Sequence, residues 1–301
     1  MLVYLNGEYL PDSSAFISPA DRGFLFGDGV YEVTRSRGGR LFEWERHLRR
    51  LAYGLAGLRI ALPEAERARL GDVSRRLLVE NDLTAGDATV YLQVTRGAAA
   101  PRAHHFPAAA ATRPTVFLAA TRLAVPDEVR AVGARVVTVS DVRWSRCDLK
   151  TVNLLPNVLA KQRAVELGAH EALFVRDGVL IEGSSTNVFA VLDGELRTYP
   201  ASNYILAGIT REVVLELAAE ARIPTRETPI LVDDVGRATE LFLTSTTNDV
   251  MPVTYVDGNA VGNGKPGPVA RQLYDALMAR MGRAAAGASA DVPGEVALTR
   301  T

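Results

Sequence analysis

Arg143-Trp-Ser-Arg-Cys-Asp-Leu-Lys150-Thr-Val-Asn-Leu-Leu155 is the stretch on which the reading turns, and Lys150 is the reason. The chain carries 31 arginines against three lysines, at 150, 161 and 265. Arginine has taken almost every position where a plain positive charge suffices. A retained lysine therefore points to chemistry that a guanidinium lacks: arginine stays protonated, whereas a buried amine can lose its proton and attack a carbonyl. Lys161 falls in a helical pattern and Lys265 in a Gly/Pro loop, so both read as solvated charges. Lys150 ends a strand-like run that opens with Arg135-Val-Val-Thr-Val-Ser140 and precedes a helix, a place where sites are commonly built. Taken alone, it is as compatible with a surface or ion-paired lysine as with a reactive one. Its surroundings decide.

Working outward, Glu182 ends the strand Gly178-Val-Leu-Ile181 inside Glu182-Gly-Ser-Ser-Thr-Asn187. A carboxylate among small residues there can reach a ring nitrogen of a ligand, or can simply face solvent. Two segments read as anion cradles. Gly208-Ile-Thr210 opens a helix, with free amides at the positive end of its dipole, and Thr244-Ser-Thr-Thr247 offers hydroxyls at a strand end. Each alone is equally a cap or a turn. Together with a privileged lysine they point to a phosphorylated aldehyde rather than a nucleotide. The phosphate-loop spacing is absent from Gly262-Asn-Gly-Lys-Pro266, and Gly27-x-Gly29 precedes a strand without the third glycine of a dinucleotide fingerprint. Arg102 and His104 sit in a loop between prolines, where a guanidinium and an imidazole can hold a carboxylate or stand solvated. Cys147 lies three residues from Lys150 with no histidine nearby, which argues against a nucleophile.

At 301 residues the chain is long enough for two domains. Its 48% hydrophobic and 23% charged content are those of a soluble globular protein, and a net charge of −1 favours neither nucleic acid nor an anionic membrane. One cysteine excludes a disulfide framework and suits a cytoplasmic location, and the four histidines lack zinc-ligand spacing. Neither a signal segment nor a membrane span is read.

Asn6-Gly7 predicts a hairpin, and Val30–Thr34 a strand after the Gly-rich loop. Helices are expected over 45–58 and 63–81, and strands over 88–96 and 115–121. That order predicts an α+β first half. The second half is read as a helix over 156–167 and three strands turned at Asp177-Gly178 and Asp193-Gly194. A helix from Gly208, a strand from Glu240, a hairpin over 253–261 and a helix over 268–280 complete it.

Taken together, these segments resemble the fold-type IV pyridoxal-phosphate aminotransferases, and among them the D-amino-acid aminotransferases. The resemblance runs from residue 1 to about residue 280. It rests on Asp21-Arg-Gly-Phe-Leu-Phe-Gly-Asp-Gly-Val-Tyr-Glu32, Val94-Thr-Arg-Gly97, Pro101-Arg-Ala-His104, Arg143–Lys150, Glu182–Phe189, Gly208-Ile-Thr-Arg211 and Thr244-Ser-Thr-Thr247. It implies a smaller N-terminal α/β sandwich domain over 1–120, a linker over 121–128, and a larger cofactor-binding domain over 129–283 with a barrel-like core. The composition of residues 284–301 reads as a disordered tail.

The resemblance also implies residue roles. Lys150 resembles the lysine that holds pyridoxal 5'-phosphate as a Schiff base and shuttles a proton, and Glu182 the carboxylate that keeps the pyridine nitrogen protonated. Arg50, Ile209, Thr210 and Thr246 resemble the phosphate cup, and Leu206 the apolar residue against the ring. Tyr31, Arg102 and His104 resemble the trap for the substrate α-carboxylate, drawn from a neighbouring subunit of a homodimer. The implied activity is transamination between a D-amino acid, such as D-alanine or D-glutamate, and a 2-oxo acid, such as 2-oxoglutarate or pyruvate. Branched-chain L-amino-acid or (R)-amine transaminases and aminodeoxychorismate lyase are the alternatives within the family.

Overall fold

A computed structural model describes residues 1–108 and 111–286. The first sheet forms from β1 (Leu2–Leu5), β2 (Glu8–Pro11), β3 (Gly29–Arg37), β4 (Arg40–Leu41), β5 (Asp87–Thr95) and β6 (Thr115–Arg122), all antiparallel in the order β2-β1-β6-β5-β3-β4. Asn6 and Gly7 adopt φ of 52° and 102°, the left-handed pair that a tight hairpin demands. Helices α2 (Trp44–Leu58) and α3 (Glu64–Glu80) cover one face of this sheet. Leu51, Leu55, Leu70 and Leu77 pack there on Val90, Leu92, Val94 and Leu118.

The Gly-rich loop holds an element that composition hid, the short helix α1 (Arg22–Phe26). Asp21 caps it, accepting from the Gly23 amide at 2.7 Å while also accepting from the Thr95 and Thr115 hydroxyls at 2.9 and 2.6 Å. A Cβ at Gly23 would stand 2.3 Å from Thr95 Cγ2, so only glycine lets the loop lie this close to β5.

Residues 123–126 carry no regular structure. The ends of the expected 121–128 linker belong to β6 and to α4 (Asp127–Val132). The second sheet is mixed. It comprises β7 (Ala134–Ser140), β8 (Glu171–Arg176), β9 (Val179–Gly183), β10 (Asn187–Leu192), β11 (Glu195–Thr198), β12 (Thr225–Glu227), β13 (Ile230–Leu231), β14 (Glu240–Ser245), β15 (Asp249–Val256) and β16 (Asn259–Ala260). Its order is β12-β11-β10-β14-β15-β7-β8-β9-β13, with β16 on β15. β9 and β10 stand far apart along that path yet pack together, so the sheet curls into a half-barrel around Leu173, Leu180, Val188, Leu241, Met251 and Val253. This is the barrel-like core expected, within an α+β fold. Four strands, not three, follow α5 (Leu155–Glu166), because the segment Ser184–Thr186 splits the expected second strand into β9 and β10.

Helices α6 (Ile209–Glu220) and α7 (Pro268–Ala286) cover the outer face, where Phe189 and Phe242 stack at 5.0 Å. The last helix continues to Ala286, past the stop expected at Arg280 and into the expected tail; the remainder of that tail lies outside the described residues. No helix among the described residues is long and apolar enough to cross a membrane.

Buried charges join the two sheets. Arg35 on β3 binds Asp87 (Nε–Oδ1 3.0 Å) and the fully buried Asp249 at the start of β15, which also meets Arg130 at 3.4 Å. Arg46 on α2 reaches Glu212 and Glu216 on α6 at 3.3 and 2.7 Å. The site lies in the seam that these contacts close.

Candidate active site

Lys150 does not end a strand. β7 stops at Ser140, and the intervening residues form an irregular segment held by Asp141 and Arg143. The Tyr31 amide donates to the Lys150 carbonyl at 2.9 Å, and Val30 bridges Thr151. The lysine backbone is thus fastened to the start of β3, and its Nζ stands 4.1 Å above the Tyr31 ring. No carboxylate among the described residues forms an ion pair with it.

Eight of the ten residues singled out in the sequence line one cavity: Tyr31, Arg50, Lys150, Glu182, Leu206, Ile209, Thr210 and Thr246. Arg102 and His104 do not. They sit on the loop after β5, packed on α1, with Arg102 4.5 Å over the Phe26 ring and His104 edge-on to it at 5.6 Å. Arg22 fastens this loop by donating to the carbonyls of Ala103 and His104 at 2.7 and 3.3 Å.

Glu182 is buried at the end of β9. It accepts from Arg143 Nη1, from Asn187 Nδ2 at 3.1 Å and from the Leu206 amide at 3.1 Å. Burial pushes its carboxyl up to about 7, against the opposing pull of Arg143 and the Leu206 amide. Arg143 in turn is held by Asp141 at 2.9 and 3.0 Å, and lies 4.2 Å over the Phe174 ring. Asn187 also donates to the Leu206 carbonyl at 2.9 Å, which locks the leucine segment to the carboxylate. Arg143 and Asn187 were missed as site residues, although both stand inside motifs that the sequence reading quoted.

Arg50 projects from α2 and is aimed by Glu32 on β3 through two bonds of 2.8 Å. Its Nη1 donates to the Ala207 carbonyl at 3.0 Å, just before α6 begins. His47, one turn earlier on α2, binds the same carboxylate at 2.7 Å. Burial pushes the Glu32 carboxyl up, but Arg50 and His47 outweigh it and hold it down at about 2. Glu32 was also missed; its place directly after Tyr31 on a strand, on the opposite face, was the available signal.

The α6 N-terminus has Gly208 as its cap residue and no side chain capping it, and Gly208, Ile209 and Thr210 line the cavity together with Thr246. The Thr244 hydroxyl, buried in the same wall, has no hydrogen-bond partner. An amine without an ion pair, a buried carboxylate and an anion cradle with an orphaned hydroxyl therefore share one cavity. That donor set fits the aldehyde, ring nitrogen and phosphate of pyridoxal phosphate. The Ser184, Ser185 and Thr186 hydroxyls are not offered to a ligand: they turn to Glu171, Ser185 at 3.1 Å and Thr186 at 3.5 Å. Cys147 lines the cavity and donates to the Trp144 carbonyl; burial pushes its thiol up to about 11, away from nucleophilic use.

Known proteins agree with this geometry. A D-alanine aminotransferase from Staphylococcus haemolyticus is 40% identical over 91% of this chain and 95% of its own length. One from Bacillus licheniformis is 40% identical over 92% and 96%. A branched-chain amino acid aminotransferase (T.th.) solved with pyridoxamine 5'-phosphate superposes with a TM-score of 0.82 at 27% identity, covering 96% of each chain. The family model for amino-transferase class IV matches residues 29–256. The chain belongs to the class IV aminotransferases, which depend on pyridoxal phosphate.

Proposed function

We propose that the protein transfers the amino group of a D-amino acid, such as D-alanine or D-glutamate, to a 2-oxo acid, such as 2-oxoglutarate or pyruvate, in two half-reactions. The observation that carries this reading is the single cavity in which Lys150, Glu182 and the α6 N-terminus meet. The D-series is favoured by the relatives at 40% identity, which are named D-alanine aminotransferases. When bound, pyridoxal phosphate supplies the electron sink for charge left on the substrate Cα.

The chain does the rest. Lys150 would hold the cofactor's aldehyde carbon, and its amine, tethered in the cavity, would move the proton at the substrate Cα. Glu182, kept in place by Arg143, Asn187 and Leu206, holds the proton on the ring nitrogen. Arg50, Ile209, Thr210 and Thr246 hold the phosphate, and Leu206 lies against the ring.

Tyr31 at the cavity, with Arg102 and His104 of a second copy, binds the substrate α-carboxylate. Within one chain Arg102 and His104 lie on a fastened loop outside the cavity, which suits residues that serve a neighbour. Large apolar side chains nearby and on α5 are exposed, among them Phe24, Phe106, Leu155, Val158 and Leu159, and a homodimer would cover them. The lone, unpaired Cys147 suits a reducing compartment, and we place the enzyme in the cytoplasm.

The test is the visible spectrum of the holoenzyme before and after D-alanine or L-leucine. Bleaching of the cofactor band by D-alanine alone, reversed by 2-oxoglutarate, is the expected result. Bleaching by L-leucine alone would move the enzyme to the branched-chain class. In Arg102→Ala, D-alanine should bind about 10- to 100-fold more weakly, with cofactor loading unchanged, because a charge-assisted contact is lost. Unchanged D-alanine kinetics would remove the trap assignment.

A further inference from the structure

We infer that Glu171, with Lys161 as its counter-charge, is a positioning residue that sets the active-site wall Gly183–Asn187 and through it the placement of Glu182. Glu171 opens β8 and is fully buried beneath the turn between β9 and β10. Its carboxylate accepts from three consecutive side chains, the hydroxyls of Ser184, Ser185 and Thr186, and from the Ala172 amide at 2.9 Å. Every contact brings a donor to the carboxylate's acceptor sites. Lys161 Nζ stands 3.9 Å from Oε1 and donates to the His170 carbonyl next door. One of the chain's three lysines, read from sequence as a solvated charge, thus reaches back from α5 to a buried acid.

The turn above has little freedom left. The Gly183 amide donates to the Thr186 carbonyl at 2.7 Å, the Ser184 amide to the Ala172 carbonyl at 2.9 Å, and Asn157 to the Ser184 carbonyl at 2.8 Å. A Cβ at Gly183 would stand 2.0 Å from Thr186 Oγ1 and 3.2 Å from Glu171 Cγ, so the turn rests directly on the acid. Glu182 and Asn187 flank this turn, and they bond to each other and to Leu206. With the three hydroxyls held by Glu171, the turn is anchored and the Glu182–Asn187 pair is fixed from below. Loosening Glu171 releases three hydroxyls at once and lets both ends of the turn shift. A displacement of the order of 1 Å at a reacting group lowers rates by about 100-fold.

The experiment compares Glu171→Ala and Glu171→Gln in the holoenzyme. It reads the cofactor dissociation rate, the pH midpoint of the cofactor absorption band, and kcat and KM for D-alanine. Only the choice of D-alanine rests on the proposed function; dissociation and the band midpoint test any class IV aminotransferase, so the two readings fail separately. The alanine variant should lose about 10- to 100-fold in kcat with KM within about threefold, release cofactor about tenfold faster, and shift the band midpoint. Glutamine, which can still accept from two hydroxyls, should restore most of each loss, and Lys161→Met should show the same pattern more weakly. A folded alanine variant with wild-type dissociation, midpoint and kcat would overturn the assignment. Should alanine fail to fold, a folded Lys161→Met variant with wild-type dissociation, midpoint and kcat would overturn it as well.

Discussion

Glu182 carries a conflict that can be measured. Its carboxyl is buried, and burial raises it to about 7 despite Arg143. In the unfolded chain it titrates near its ordinary value of 4.5. Below that value both states hold the proton, and the stabilisation of the protonated form is fully present and independent of pH. Between about 4.5 and 7 the folded chain holds a proton that the unfolded chain has released, so stability falls as pH rises. Above about 7 both have released it, and the stabilisation of the protonated form is lost. The gap corresponds to about 3 kcal/mol for a fully buried group.

The perturbation is Glu182→Gln, a neutral side chain of the same shape. The assay is urea denaturation of the cofactor-stripped protein from pH 5 to pH 8.5, plotted as wild type minus variant. That difference should fall by about 2.5 kcal/mol over the interval, most steeply near pH 6, midway between the two values. With pyridoxal phosphate bound, a positive ring nitrogen beside the carboxylate should move the wild-type transition to lower pH. A flat difference across the interval in the stripped protein would refute the account of Glu182 as an acid strained by burial.

Lys150→Ala should abolish the visible cofactor band and nearly all transamination, and steady-state turnover equal to wild type would remove the central assignment. Glu32→Gln should leave Arg50 with a neutral partner in a buried site, at a cost of about 3–5 kcal/mol in denaturant midpoint experiments and with weaker cofactor retention. Because Glu32 is held down at about 2 when folded, its stabilisation is present above about 4.5 and lost as pH falls towards 2. The variant should therefore lack part of the wild-type acid sensitivity, and an identical acid limb would exclude Glu32 as its source.

What could be read from the sequence was local. The hairpin at Asn6-Gly7 follows from two left-handed residues, and the α6 start follows from Gly208 before an apolar pattern. Most cavity residues stand in short quoted motifs, while Arg50 and Leu206 stand outside them and came only with the family resemblance. Failures came where the deciding partner is remote. Lys161 is half-exposed, as its solvated reading implies, but nothing in its helix announces the contact with Glu171 ten residues away on a strand. The hydroxyls of Ser184 and Ser185 turn to Glu171, which the sequence does not announce because it names a side chain but not the face it turns to. Glu32 was passed over because its partners, 15 and 18 residues on, become neighbours only when α2 packs on β3. Arg35 and Asp249, 214 residues apart, join the two sheets by a contact that no periodicity encodes. Desolvation makes an isolated buried charge too costly to keep, so each such residue needs a partner. The identity of that partner is a property of the packed chain. The buried arginines and acids of this protein therefore belong to two descriptions at once, with the charge visible in the sequence and the pairing that aims Arg50 and Glu182 present only after the sheets have closed on each other.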